Sequence, residues 1–542
     1  MGAWLIPMTI VTPFAGAMAV AFCKPLRRSL RALHIAVGAF VLATALLALA
    51  TSLQEEAETV LFEFLPNVPL YFRADSVAVT FALLTVCMWL SSTVFSFEYL
   101  AHGEREDRYN IFSLLALAAL MGVCFSGNLV TTYLFYEMMT LATFPLVMQE
   151  QTKEAISAGM TYLYYSLAGA FLGLVGIFFL YAYSTPGSRG AGGRLMYRAG
   201  GFLSQALTES QSSTLLVAVF LMLVGLGSKA GMFPLHGWLP KAHPVAPAPA
   251  SALLSGNITK MGILFIIRIV YYCVGPRFIG GTWAQYALLT LTVLTIFLGS
   301  MLAFREKVMK KRLAYSTVSQ TSYILAGIYI LTNPTGSFLH IIFHSVIKNL
   351  LFLCAGAVIV KTGKTKVAEW KGLGRQMPFT MTAFTIGGLA LVGIPPLAGF
   401  VSKWHIATTA LGSGTPYFSI IVPVILLVSA LLTAGYLMGP AADAWFVAKA
   451  PEHAEAKEAA EVSEAEVAEV SEVAADVVEA TEEKKENAPA PETTATTSKR
   501  EAGLRILIPL GILAAAAIVF GLFPNPLVEF FEGFYLPSYW PM

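Results

Sequence analysis

Eight ionisable side chains lie deep in apolar stretches of the sequence: Glu137, Lys229, Lys260, Arg268, His340, His344, Lys348 and Lys403. A charge at the centre of a hydrocarbon layer costs about 2.5–3.5 kcal/mol on an insertion scale. Several together rival the whole stability of an ordinary domain, so pairing, internal water or both must compensate. Taken singly, each could be a side chain that snorkels to an interface or a structural ion pair. As a set they point to a conduit for protons or small cations.

Their spacing sharpens this reading. Glu137 sits in YLFYEMMTLATFPLV with no other charge nearby, a central acid that needs a cationic partner. Lys229 ends an apolar run, and after it comes FPLHGWLPKAHPVAPAPASALLSGNITKMG with Pro234, Pro240, Pro244, Pro247 and Pro249. Each proline removes an amide donor and frees a carbonyl one turn back, so this helix is predicted to be discontinuous. Freed carbonyls at a half-helix C-terminus favour a cation, and Lys229 stands at that place in the sequence. A second break is predicted at VGIPPLAGFVSKWHI, where Pro395 and Pro396 interrupt a span that also carries Lys403. Two broken spans, each with one lysine, in separate halves of the chain point to an internally duplicated transporter. Between them, His340, His344 and Lys348 are four apart; successive members rise about 6 Å and turn only about 40°, giving one polar stripe on one helix face.

Such residue types suffice for pumping. Burial lowers a lysine's proton affinity and a nearby carboxylate raises it. A membrane potential of about 150 mV opposes a proton by roughly 3.5 kcal/mol, equivalent to about 2.5 pKa units. Opening a Lys–Glu pair in a low-dielectric site can supply a swing of that size.

The elements that must hold these groups are transmembrane helices. The 542 residues are 56% hydrophobic and only 13% charged, against roughly a quarter charged in soluble domains. Apolar runs of about 20 residues recur along the whole chain, each long enough to span a bilayer. Helices are predicted near 3–22, 31–52, 74–99, 110–126, 127–148, 155–183, 213–233, 250–275, 284–304, 311–331, 336–360, 379–412, 417–447 and 503–523, about fourteen spans in an all-α integral membrane fold. The first run is followed rather than preceded by positive charges and has no A-x-A site, so it reads as a first span and not a cleaved signal.

Loop charge sets the orientation. The loops at 23–31, 101–109, 149–154, 305–312 and 361–376 hold most of the Lys and Arg, including Lys24, Arg27, Arg28, Arg105, Lys310, Lys311 and Arg312. The opposite loops hold Arg73, Arg189, Arg194, Arg198 and Arg277. By the positive-inside rule the first set is cytoplasmic and both termini lie outside the cell membrane. Residues 448–502 are acidic, rich in Ala, Glu and Val and then in Pro and Thr, and read as a cytoplasmic low-complexity insert, a solvated linker before the last span at 503–542. Five scattered cysteines without a CxxC pair or Cys/His cluster give no metal or iron–sulfur site, and no cofactor is expected.

At YLFYEMM, at GSKAGMFPLHGWLPKAHPVAPAPASALLSGNITKMG, at KKRLAYSTVSQTSYI and at GIPPLAGFVSK the chain resembles a known family. This is the antiporter-like proton-translocating subunits shared by respiratory complex I, Mrp-type cation/proton antiporters and membrane-bound hydrogenases. The resemblance covers roughly residues 70–440. The Mrp D-type subunit is the most similar branch, given Lys403, the wording GFVSKW and an end soon after the last helix, without the long lateral helix of complex I's most distal antiporter subunit.

The resemblance implies fourteen helices with two inverted five-helix repeats, around 110–275 and 284–447, each with one broken helix, preceded by three helices within 1–109. It implies that Glu137 and Lys229 form the ion pair of a first half-channel. Lys260 would be the central relay, His340 and His344 the second-half relay, and Lys403 the terminal proton carrier. A family branch with Glu at the position of Lys403 is not matched, which argues against the middle subunit of complex I. The acidic insert also departs from the common pattern.

The leading expectation is a proton-translocating subunit of a multi-subunit membrane complex, beside further antiporter-like subunits, with any redox centre on other chains. The alternative is sodium/proton antiport in an Mrp-type assembly without redox coupling, since sodium wants oxygen ligands and broken helices expose carbonyls. A non-conducting scaffold fits poorly with so many costly charges kept. Independent catalysis fits poorly too, because no nucleotide loop or nucleophile motif occurs.

Overall fold

The computed structural model describes residues 4–23, 29–52, 57–101, 106–184, 193–203, 207–447 and 501–535. Most of the acidic insert expected at 448–502 lies outside these residues, as do the loop charges Lys24, Arg27, Arg28, Arg105 and Arg189.

Helices α1 (Leu5–Phe22) and α2 (Leu30–Ser52) lead into an antiparallel hairpin of β1 (Ala57–Leu65) and β2 (Val68–Ala74). Then follow α3 (Ser76–Tyr99), α4 (Glu106–Phe125), α5 (Leu129–Val147), α6 (Lys153–Tyr183) and α7 (Glu209–Ala230). The short α8 (Leu239–Val245) precedes a continuous helical stretch, Ala248–Val274. That stretch contains α9 (Ala248–Leu253), a π-helical turn (Leu254–Ile258), α10 (Thr259–Ile267) and a second π-helical run (Arg268–Val274). After α11 (Pro276–Ile279) come α12 (Trp283–Arg305), α13 (Met309–Tyr329), α14 (Thr335–Thr362) and the short α15 (Leu373–Gln376). Helices α16 (Pro378–Val392) and α17 (Ala398–Gly412) are followed by α18 (Phe418–Phe446), α19 (Leu504–Leu522) and α20 (Asn525–Tyr535).

Among the described residues, eleven helices are long and apolar enough to cross a membrane. The α5, α13, α16 and α17 helices are not counted with them: α5 carries Glu137, α13 is rich in Ser and Thr, and α16 and α17 have 15 residues each. Two elements were not expected: a β-hairpin, which departs from the all-helical pattern, and a short extra helix, α20. The hairpin forms where β-branched and aromatic residues, AETVLFEFL and VPLYFRA, flank a turn in which Asn67 takes φ 61°, a conformation Asn tolerates. The short α20 turns Phe531 into the core and leaves Glu529 and Glu532 exposed.

Local chemistry explains the helix ends. Asp75, Asn128 and Thr152 each accept a first-turn amide as N-caps, and Thr208 with Gln211 forms a capping box. Both expected breaks sit behind a left-handed glycine. Gly231 (φ 80°) closes α7 ahead of Pro234, and Gly393 (φ 93°) closes α16 ahead of Pro395 and Pro396. The run predicted as one span at 379–412 is therefore two half-helices, and their junction is tight. A Cβ on Gly399 would stand 1.8 Å from the Ala390 carbonyl oxygen.

Close glycine contact also sets the α6–α7 crossing: a Cβ on Gly169 would lie 2.3 Å from Gly225 O, and one on Gly225 would lie 2.4 Å from Gly169 O. Small residues at such a crossing let two backbones approach inside an apolar bundle. At the hairpin end, Arg268 binds Asp75 through both guanidinium arms, at 2.6 and 2.8 Å, while Asp75 still caps Ala78. Burial pushes the Asp75 carboxyl up, but the Arg268 charge and hydrogen bonds, with Arg73 and the Ala78 amide, together outweigh it and hold the group below the usual carboxylate range. At the opposite end, Glu98 accepts from Lys361 Nζ (3.1 Å) and Gly503 N (3.0 Å), while Glu501 accepts from Phe379 N and Thr380 Oγ1. These contacts pin the start of α19 to α3, α14 and α16.

Two outcomes follow. Gly169→Val forces a side chain into the α7 backbone, and overpacking of this kind costs about 1–3 kcal/mol. Thermal unfolding of the purified protein should shift clearly downward, whereas an unchanged midpoint contradicts the tight crossing. Asp75→Ala leaves Arg268 buried and unpaired, a loss of about 3–5 kcal/mol, read as reduced yield of folded protein on size exclusion.

Candidate functional site: a line of buried basic residues

Lys229 is fully buried in the last turn of α7. Its ammonium donates to Tyr162 Oη and Ser166 Oγ on α6, both at 2.8 Å, and lies 4.3 Å from the Tyr162 ring centroid. The sequence placed this ammonium at the freed carbonyls of a broken helix, and the structure corrects that. Those carbonyls are already satisfied: Gly227 O by Met232 N, Ser228 O by Gly231 N and Trp238 Nε1, and Ala230 O by Thr321 Oγ1. The glycine crossing meanwhile brings the α6 hydroxyls within reach.

Glu137, on α5, is half-buried and its Oε1 has no hydrogen-bond partner. It forms no ion pair with Lys229 within 4.0 Å among the described residues, although the two charges act on one another. The pair implied by the resemblance is thus open.

Lys260 follows the π-helical turn Leu254–Ile258, where the regular i→i−4 ladder lapses. Its ammonium donates to Ser255 O (2.5 Å) and Thr259 Oγ1 (3.3 Å) and lies 2.7 Å from His344 Nδ1 on α14. Gly262, on the same stretch, abuts Lys229: a Cβ there would be 2.7 Å from Lys229 Cβ. The helix carrying Lys260 therefore packs directly on the one carrying Lys229.

From His344 the line continues along α14. The rings of His344 and His340 stack at 5.7 Å, and His340 stacks on Tyr323 of α13 at 5.6 Å. His340 Nδ1 lies 2.8 Å from Ser402 Oγ, next in sequence to Lys403. Lys403 Nζ sits 5.1 Å from the Tyr323 ring and donates to Leu391 O (2.6 Å) and Val392 O (3.0 Å). These are the freed carbonyls at the end of α16, so the arrangement anticipated at Lys229 is found at Lys403. Lys348 leaves the expected stripe. It donates to Leu313 O (2.9 Å) and to Ser316 Oγ, both on α13, rather than toward His344.

The prolines occupy the predicted breaks, and the peptide bonds before Pro234 and Pro396 are cis. Among the described residues no group of three or more His, Cys, Asp or Glu could hold a metal ion.

Sequence reasoning missed several participants. Tyr162, Ser166, Tyr323 and Ser402 carry no charge and look like ordinary helix residues. Asp75 precedes the apolar run of α3, where only its N-cap position marks it. His243 is fully buried with both ring nitrogens unpartnered, and stacks on Phe352 at 4.6 Å; its place among the prolines of KAHPVAP was the available signal. Lys310 and Arg312 depart from the loop placement expected of them. They lie instead in the first turn of α13, with only 6% and 9% exposure.

Residues 126–432 match the family described as NADH:quinone oxidoreductase/Mrp antiporter, TM. The chain is 31% identical to NADH-quinone oxidoreductase subunit N of Desulforudis audaxviator, over 73% of its own length and 79% of that protein. It is 33% identical to hydrogenase-4 component B of Escherichia coli, over 64% of this chain and 51% of that one. Identity to the D-type component of the Na(+)/H(+) antiporter of Bacillus subtilis is 29%, over 63% and 67% of the two chains. In fold it is similar to a chain of the Mrp complex from Dietzia sp. DQ12-45-1b, with TM-score 0.78, 23% identity and coverage of 98% and 96%. A chain of the membrane-bound sulfane sulfur reductase, an archaeal respiratory membrane complex, gives TM-score 0.76, 22% identity and the same coverage. By the extent of the family match, the chain belongs to the NADH:quinone oxidoreductase/Mrp antiporter transmembrane family.

Proposed function

We propose that this chain is a proton-translocating subunit of a multi-subunit membrane complex, and that its protons travel along Glu137, Lys229, Lys260, His344, His340 and Lys403. The observation that carries this reading is the Lys260–His344 contact at 2.7 Å, which joins the first half of the chain to the second through two groups able to exchange a proton. On either side stand titratable groups held by neutral acceptors: Lys229 by two hydroxyls and Lys403 by two carbonyls. A lysine held this way remains able to release its proton, and an approaching carboxylate restores its affinity. Movement of Glu137 toward Lys229 would load the lysine, and retreat would discharge it toward Lys260. Lys348 acts beside the line, through Ser316 and the Ser255–Thr317 hydroxyl pair that adjoins Lys260.

In this reading the bundle has fourteen spans with inverted repeats over 110–275 and 284–447. Both termini face outward across the plasma membrane, and any redox chemistry belongs to partner subunits. Further antiporter-like subunits are the expected neighbours.

Sodium/proton antiport is the second reading, favoured by the helix-end carbonyls of Leu391 and Val392 and by the relatives named as Na(+)/H(+) antiporter subunits. In the structure those carbonyls are taken by the Lys403 ammonium, so sodium would have to displace it.

In vesicles containing the complete complex, Lys229→Ala and Lys403→Ala should each abolish coupled proton transport while the complex still assembles. Glu137→Gln should do the same; wild-type rates in all three contradict the relay. Replacing sodium by choline should leave a pH change across the vesicle membrane. Its complete disappearance would transfer the assignment to obligatory sodium exchange.

A further inference from the structure

Lys310 sits at the end of the bundle opposite the hairpin, in the first turn of α13, yet it turns inward and is only 6% exposed. Its ammonium donates to Pro244 O (3.1 Å) and Ala246 O (2.5 Å). Ser251 Oγ also donates to Ala246 O, at 3.4 Å, so the lysine joins a hydroxyl in satisfying the carbonyls of the proline-rich junction between α8 and α9. The two carbonyls lie one and three residues beyond His243, whose ring is fully enclosed with neither nitrogen bonded. A completely buried, unbonded imidazole is costly in a structural role. The charges that act on His243 are those of Lys310, Lys348 and Lys260. The carboxylate whose charge reaches Lys310 is that of Glu150, exposed in the turn after α5.

We propose that Lys310 and His243 form the inlet that loads the relay from the water at this end of the bundle, with Lys310 as a proton carrier and not only a clamp on the broken segment. A proton taken up at the Glu150 carboxylate passes to the neutral amine of Lys310. An ammonium has three N–H bonds; two face the carbonyls, and the third is free to donate. That proton moves to an imidazole nitrogen of His243, leaving Lys310 as an amine again. His243 passes it to Lys260, the entry to the line through His344, and returns to its neutral form. The inlet rests on the relay reading above and adds two residues to it.

Arginine separates a carrier from a clamp, because a guanidinium keeps its charge and hydrogen bonds but does not give up its proton. Transport should be measured in vesicles containing the whole complex, normalised to assembled complex, for Lys310→Arg and His243→Gln, with Lys229→Ala in parallel. Both inlet variants are expected to assemble and to lose transport by about tenfold or more, as for removal of a positioned proton-transfer group. Wild-type transport by Lys310→Arg would make Lys310 a clamp only, and wild-type transport by His243→Gln would remove the imidazole from the path; either overturns the inlet. Should Lys310→Arg fail to assemble, His243→Gln decides alone, and failure of both to assemble assigns the pair to folding and overturns the proposal. Full transport by Lys229→Ala would defeat the relay itself. A dead Lys229→Ala beside active inlet variants defeats only the inlet.

Discussion

An ammonium buried in an apolar bundle must be met by lone pairs, and which lone pairs meet it decides whether it stays charged. Arg268, which cannot discharge, receives a carboxylate, Asp75, through two short hydrogen bonds and lies over two tyrosine rings. Lys229, Lys260, Lys348 and Lys403 receive hydroxyls, carbonyls and an imidazole instead. Neutral acceptors hold a cation more weakly than an anion does. The bundle thus sets Arg268, tied into a structural clasp by a carboxylate, apart from lysines that are met by neutral acceptors only. Everything proposed about transport depends on that division.

The backbone is shaped to deliver those acceptors. The glycine crossing of α6 and α7 lets Tyr162 and Ser166 reach Lys229. The π-helical turn before Lys260 leaves Ser255 O open to a side chain, and the end of α16 presents Leu391 O and Val392 O to Lys403. Irregular backbone within a membrane is tolerated where its polar groups are satisfied internally. Here much of that satisfaction comes from the lysines themselves, so local structure and chemistry share the same hydrogen bonds.

Much of this was legible in the sequence, because the penalties involved are large. Apolar runs and interrupting prolines marked the spans and both breaks, and isolated charges marked the line from Glu137 to Lys403. What stayed hidden depends on contacts between distant segments. No local pattern distinguishes Tyr162 from the other aromatic residues of α6, or shows that Lys229 would find hydroxyls while Lys403 would find carbonyls. The pattern KKR looks like any cytoplasmic loop, and only the packing of α13 against the α8–α9 junction shows that Lys310 is drawn inside. The hairpin falls between the spans predicted at 31–52 and 74–99, where the sequence analysis singles out only the loop charge Arg73. The acidic insert offered composition alone.

Protons can cross the gaps between these residues only if those gaps are wet. A cryo-electron microscopy map of the assembled complex, at a resolution that shows ordered water, tests this most directly. Waters bridging Lys229 to Lys260, and His340 to Lys403, are the predicted result. Dry apolar packing between those pairs, with each lysine closed off by the hydrogen bonds described here, would contradict it.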